Sequence, residues 1–217
     1  QMCIRDSEYG MENVLIMIDI GPDLGSINDN LDDYHPWIDC ANEMKCHSVR
    51  VNLRGSDDNL SLWTENSIEN LNKLCEYAKP LNVNILVENH GGFSSNADYL
   101  VNVIKKINYN NIGTLPDFGN FCIKQDPKKS TEMRKLFTQG GEESSGRPPT
   151  IYDSCAERFD MYDGMKKLMK YAKGVSAKTH GFDSDGTDVD INYSKMLQIV
   201  KNSNYKGFIG VESQDFT

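Results

Sequence analysis

The sequence predicts an α/β fold, a (β/α)8 barrel present in part, and three observations carry that prediction. Short β-branched or apolar runs alternate with helical stripes through the 217 residues, the pattern of successive βα units that form a parallel sheet. Right-handed crossovers would then place the helices outside. Four runs also lead into a metal-capable side chain: Asn84 to Val87 before Glu88, Ile112 to Pro116 before Asp117, Val175 to Thr179 before His180, and Phe208 to Val211 before Glu212. Strand C-termini of a β/α barrel converge on one face, where residues remote in sequence can meet.

The first residues, Gln1 to Ser7, follow no periodicity and resemble translated adapter sequence. Residues 1–10 are therefore expected to be a non-native or disordered segment, and 11–217 the barrel domain. Val14 to Ile18, Ser48 to Leu53 and Val83 to Val87 read as strands, being too short for buried helices. Three more precede Asp117, His180 and Glu212. Helical stripes follow at Tyr34, Trp37, Ile38, Ala41 and Met44, at Ile68, Leu71, Cys75 and Ala78, and at Leu100, Val103, Ile104 and Ile107. Two further stripes are Met161, Met165, Leu168, Met169 and Ala172, then Tyr193, Met196, Leu197 and Val200. This makes six strands and five helices, whereas a closed barrel has two more βα units and about 250 residues. The expectation is a fragment carrying strands three to eight and lacking the final helix.

From 124 to 158 the sequence is polar and broken by Gly140-Gly141, Ser144-Ser145-Gly146 and Pro148-Pro149, so a long loop is expected. A cover over substrate and a solvated insertion are both compatible with it.

A formal net charge of −9 argues against a nucleic-acid partner, because nonspecific affinity for phosphate backbones comes from Lys and Arg. No apolar stretch approaches the roughly 20 residues of a membrane span, and no signal-like apolar region opens the chain. A cytoplasmic enzyme without a membrane partner is expected. Cys3, Cys40, Cys46, Cys75, Cys122 and Cys155 show no C-x-x-C spacing and are expected to be free thiols, several acting as small hydrophobes.

Three carboxylates and one imidazole suit a hard or borderline divalent ion, Mn²⁺ or Mg²⁺ foremost, with Co²⁺ or Zn²⁺ also compatible. Each residue has a plainer reading. Asp117, in Leu-Pro-Asp-Phe-Gly-Asn-Phe, suits an Asx turn or helix cap, and a lone histidine such as His180 is more often a satisfied polar residue. Glu88 opens Glu-Asn-His-Gly-Gly, whose glycines permit a tight turn and close approach of a ligand. Glu212 closes an otherwise apolar strand. Four such coincidences favour a site. Glu88 and Glu212 could then flank a hydroxy-carbonyl substrate, one taking a proton and the other returning it through an enediolate. General acid–base catalysis supplies about 10² to 10⁴ in rate, short of the roughly 10⁶ or more typical of enzymes, which favours a metal-assisted reaction.

The succession Val-Glu-Asn-His-Gly-Gly, Gly-Thr-Leu-Pro-Asp-Phe-Gly-Asn-Phe, Ala-Lys-Gly-Val-Ser-Ala-Lys-Thr-His and Tyr-Lys-Gly-Phe-Ile-Gly-Val-Glu resembles sugar phosphate isomerase/epimerases of the xylose-isomerase-like TIM barrel superfamily. Cys46 to Asn52 is similar to that family's fourth strand. The resemblance covers residues 11 to 212 and implies one divalent metal on Glu88, Asp117, His180 and Glu212, with the two glutamates as the acid–base pair. It makes Arg50, Asn52, His90, Asn120 and Lys178 substrate-contact candidates. Similar ketose 3-epimerases carry a histidine where this chain has Asn120, and an arginine beyond the metal histidine where it reads Gly-Phe-Asp-Ser-Asp-Gly. The partner is thus a small carbohydrate or polyol, with phosphorylation and a keto acid left open. A homo-oligomer is compatible. The alternatives are an inosose-dehydratase-like lyase and a noncatalytic sugar-binding barrel. The superfamily's apurinic endonucleases use histidine-rich multi-zinc sites, whereas this chain has only His35, His47, His90 and His180.

Overall fold

The computed structural model describes residues 9–27, 30–55, 59–139 and 150–213. Gln1 to Ser7, expected to be non-native, lie outside them. The chain forms two compact units interleaved along the sequence, Gln1–Glu88 with Val101–Leu115, and Asn89–Leu100 with Pro116–Thr217.

The first unit is built on four parallel strands in sequence order: β1 (Leu15–Met17), β2 (Ser48–Val51), β3 (Asn84–Glu88) and β4 (Ile112–Leu115). Every residue of β2 is buried, including the polar Ser48 and Arg50, as are Ile85 to Glu88 of β3, the burial expected of a parallel sheet covered on both faces. Register places Arg50 beside Met17 on one side and Leu86 on the other. Helix α1 (His35–Glu43) connects β1 to β2, with proline in its first turn, where no helical hydrogen bond is lost, and buries Ile38 and Ala41. Trp37 of the predicted stripe is instead 38% exposed. Helix α2 (Leu60–Ala78) starts at Asn59, whose side chain accepts hydrogen bonds from the backbone of Ser61 and Leu62 at 3.0 and 3.2 Å. It buries Trp63, Leu71, Leu74, Cys75 and Ala78, and the Trp63 indole donates to the Leu53 carbonyl at 3.1 Å. That contact fixes the segment leaving β2.

The second unit pairs β7 (Val175–Thr179) in parallel with β8 (Ile209–Ser213), aligning Lys178 with Glu212. The chain around Asp117 also runs parallel to β7: Ser176 donates to the Pro116 carbonyl and Phe118 to that of Ser176, both at 3.0 Å. Helix α5 (Met161–Leu168) is capped by Asp160 and α6 (Tyr193–Asn202) by Asn192. In α6 the buried face is Met196, Ile199 and Val200, while Leu197, predicted in the stripe, is 45% exposed. Helix α3 (Ala97–Ile104) buries Ala97, Leu100, Val103 and Ile104 at helical spacing.

The polar stretch expected to be a loop holds regular structure. Strands β5 (Cys122–Gln125) and β6 (Cys155–Arg158) pair antiparallel, and α4 (Pro127–Gln139) lies between them; residues 140–149 are outside the described set. Asp126 caps α4 by accepting from the backbone of Lys128 and Lys129 at 2.9 and 3.2 Å. The cysteine expectation is also corrected: Cys122 and Cys155 form a disulfide that ties β5 to β6. Cys40, Cys46 and Cys75 lie outside any disulfide, and Cys46 and Cys75 are buried as predicted. No helix among the described residues is long and apolar enough to cross a membrane.

Candidate metal and substrate residues

In the first unit the residues at and just beyond the strand ends form a charged network. Glu88, last residue of β3, is 1% exposed, and its Oε2 lies 2.9 Å from Arg50 Nε. The two are an ion pair whose angles fall outside hydrogen-bond geometry. Arg50, itself buried, also donates from Nη1 to Asp19 Oδ1 at 2.7 Å and to the Ile18 carbonyl at 3.2 Å. Asn52 donates to Asp19 at 3.1 Å. A buried guanidinium thus stands between two carboxylates, the arrangement that makes such burial tolerable. Asp19 was missed in the sequence, although it follows the expected run Val14 to Ile18 as Glu88 follows Val83 to Val87.

In the second unit Asp117 is completely buried. Its Oδ1 accepts from the Gly119 backbone at 2.8 Å and its Oδ2 from the Ser176 hydroxyl at 2.6 Å. Ser176 also reaches Glu212 Oε2 at 3.4 Å. The Lys178 ammonium sits 3.0 Å from Glu212 Oε1 and 3.3 Å from Asn120 Oδ1. Burial raises the Asp117 carboxyl above its ordinary 3.8; Lys178 and the hydrogen bonds from Ser176 and Gly119 pull it down, while Glu212 pushes it further up. Asn89, which the sequence reading left without a role, brackets this aspartate: its amide donates to the carbonyls of Asp117 and Asn120 at 3.1 Å, and its Oδ1 accepts from Asp117 N–H at 2.8 Å.

His180 comes to the same region by a separate route. Its backbone N–H donates to Asp188, and its Nδ1 is 3.2 Å from Asp190 Oδ2, which also accepts from the Thr150 hydroxyl. Tyr152 stacks obliquely on the ring, 4.8 Å between centroids. His180 Nε2 is buried and has no hydrogen-bond partner among the described residues. A Cβ on Gly119 would stand 2.3 Å from that nitrogen, so only glycine fits there. His180 and Asp117 therefore approach each other through Gly119 and not by a direct bond. His90 lies half-buried in the loop after β3, its backbone N–H on Ser94 Oγ at 3.1 Å. Ser176, Asp188 and Asp190 gave no signal of their own in the sequence.

The donors suit a divalent cation. With Asp190 holding Nδ1–H, a neutral His180 keeps its lone pair on the orphaned Nε2, the form in which imidazole binds metals. Asp117 is a buried carboxylate whose ionisation a cation would favour.

A family model described as xylose isomerase-like TIM barrel matches residues 7–216. Comparison with curated protein sequences gives no match. Among solved structures, a D-tagatose 3-epimerase-like protein superposes with a TM-score of 0.68 at 17% identity, over 99% of this chain and 75% of that one. The apo form of 3-keto-D-glucoside 4-epimerase from E. coli gives 0.67 at 10% identity, over 99% and 76%. A structure described as an AP endonuclease, family 2, from Brucella melitensis gives 0.62 at 13% identity, over 97% and 76%. At these identities the likeness shows the fold. The family match, extending over nearly the whole sequence, shows that the chain belongs to the xylose isomerase-like TIM barrel family.

Proposed function

We propose that the chain is a divalent-metal-dependent sugar isomerase or epimerase in which Glu88, Asp117, His180 and Glu212 hold the metal. The observation that carries this reading is the pairing of a fully buried Asp117 with a buried, unpartnered His180 Nε2 over Gly119. Glu88 joins the set on its place at the end of β3 and on the family pattern. Epimerase structures of the same fold support sugar chemistry. Four histidines and a net charge of −9 fit poorly with an enzyme that grips DNA through a histidine-rich metal cluster.

When bound, the cation supplies Lewis-acid stabilisation of charge developing on a substrate oxygen. Glu88 and Glu212 are the acid–base pair, one taking the proton from the carbon beside the carbonyl and the other returning it to the opposite face. The Arg50 guanidinium, 2.9 Å from the Glu88 carboxylate, pairs with it electrostatically and keeps it at the strand end. Lys178, 3% exposed, holds Glu212 and presents an ammonium where an oxyanion needs a donor. Asn120 fixes that ammonium.

The test is calorimetric titration of Mn²⁺ into metal-stripped protein, wild type and Glu212→Gln, followed by NMR of candidate ketoses in D₂O. Stoichiometric binding that weakens about tenfold or more in the variant, with exchange of the proton beside the carbonyl, is expected. Absence of Mn²⁺ binding by folded wild type refutes the reading. Exchange accompanied by loss of water would make the enzyme a dehydratase.

A further inference from the structure

We propose that the cleft beyond β1 and β2 is a subsite for an uncharged, hydroxyl-bearing segment of the substrate and disfavours a phosphorylated one. The proposal deepens the sugar-active reading above and rests on it. The cleft is lined by Asp19, Gly21, Asp23, Tyr34, Asn52 and Arg54, all in the first unit.

Its lining is rich in hydrogen-bond acceptors. Asn52 is 7% exposed; its amide nitrogen donates to Asp19, which fixes the side chain and leaves Oδ1 buried without a partner. An unmet buried acceptor is costly, so a donor placed there gains more than it would at an open surface. Asp19 adds a carboxylate that is 58% exposed, and Asp23 adds a second. The Tyr34 hydroxyl donates to the Pro22 carbonyl at 2.7 Å, so its own proton holds the cleft wall. Gly21, at φ +109°, lets that wall lie against the Tyr34 ring, where a Cβ would stand 3.0 Å from the ring carbon.

Sugar hydroxyls are donors and match this lining. A phosphate monoester carries about −1.5 to −2 charges at neutral pH and offers mainly acceptors. In the cleft it would face two carboxylates and a single lining guanidinium, and Arg54 already leans toward Asp19 at 3.8 Å. Arg50 is engaged by Asp19 and Glu88.

The experiment is a ligand-observed NMR titration of metal-free protein with D-tagatose and with D-tagatose 6-phosphate. Wild type is expected to bind the free sugar at least about tenfold more tightly, since juxtaposed like charges cost more than the 1.4 kcal/mol that tenfold represents. Asp19→Asn and Asp23→Asn should each move the ratio toward one, and Asn52→Leu should weaken the free sugar. Asp23→Asn leaves the Arg50 network intact, so it reads the cleft even if Asp19→Asn disturbs folding. Equal or tighter binding of the phosphate, no binding of either ligand by folded wild type, or a ratio unmoved by both aspartate variants would overturn the proposal. No step of the measurement uses metal or turnover. A failure of proton exchange therefore sinks the epimerase reading while the binding ratio still judges the cleft.

Discussion

Replacing Asp117 by Asn separates the cost of burying a charge from the purpose of burying it. The side chain is fully buried and receives hydrogen bonds from Gly119 and Ser176 at 2.8 and 2.6 Å. An asparagine can keep the carbonyl on Gly119 N–H and present its amide to Ser176, whose hydroxyl rotates to accept. The direct cost of the swap is therefore about 1 kcal/mol or less. Against it stands the removal of a carboxylate whose pKa burial has raised. A folded-state pKa above the unfolded one means that the native state binds the extra proton. This contribution is present at low pH and is lost as pH rises from the ordinary 3.8 through the raised value. Each unit of that rise removes about 1.4 kcal/mol. In denaturant unfolding of metal-free protein, wild type should lose ground to Asp117→Asn as pH rises from about 4, until the raised pKa is passed. Mn²⁺ at about one hundred times its Kd should then add about 2.7 kcal/mol to wild type, roughly 5–10 °C in Tm, and little to the variant. Stability curves that run parallel across pH, or equal Mn²⁺ gains in both proteins, would refute the reasoning.

Gly119→Ala forces a Cβ to 2.3 Å from His180 Nε2 and should cost about 1–3 kcal/mol in chemical denaturation, with Mn²⁺ affinity falling alongside. Asp190→Asn loosens the partner that sets the His180 tautomer, so calorimetry should show Mn²⁺ binding weaker by roughly 10- to 100-fold with little loss of fold. Reducing the Cys122–Cys155 disulfide opens a link between residues 33 apart and should destabilise the protein by about 2–4 kcal/mol, seen as a lower Tm in dithiothreitol that a Cys122→Ser/Cys155→Ser variant reproduces without reductant.

Strand β3 was legible because its burial leaves an apolar run, and the expected Val83 to Val87 and Val175 to Thr179 fall within a residue of β3 and β7. What was missed lacked that signature. Helix α4 is Pro-Lys-Lys-Ser-Thr-Glu over its first six residues, begun by a cap and a proline, and its apolar residues Met133, Leu136 and Phe137 span barely one turn, too short a stripe to mark it. Strands β5 and β6 carry Lys124, Glu157 and Arg158 in an irregular register and owe part of their pairing to a disulfide, and connectivity of that kind cannot be read from six scattered cysteines. The site divides along the same line. Glu88, Asp117 and His180 are marked by their positions after strands, a local feature. Ser176, Asn89 and Asp190 matter through partners 59, 28 and 10 residues away, which only the folded chain specifies.

Those distant partners also bear on the proposed cation. Lys178 is buried, whereas the Glu212 side chain it pairs with is 41% exposed, so water already screens part of that carboxylate. Asp117 has no such relief. Its hydrogen bonds come from neutral groups, Ser176 and Gly119, and the one nearby ammonium is held directly by Glu212 and Asn120. A fully buried carboxylate with neutral donors and a raised pKa destabilises the fold at neutral pH unless another charge offsets it. Buried carboxylates with shifted pKa values cluster at functional sites. His180 repeats the pattern with a buried nitrogen that has no hydrogen-bond partner among the described residues and a glycine whose missing Cβ leaves space in front of it. Two independent unmet requirements, one for positive charge and one for a lone-pair acceptor, meet at Gly119, and a divalent metal satisfies both at once.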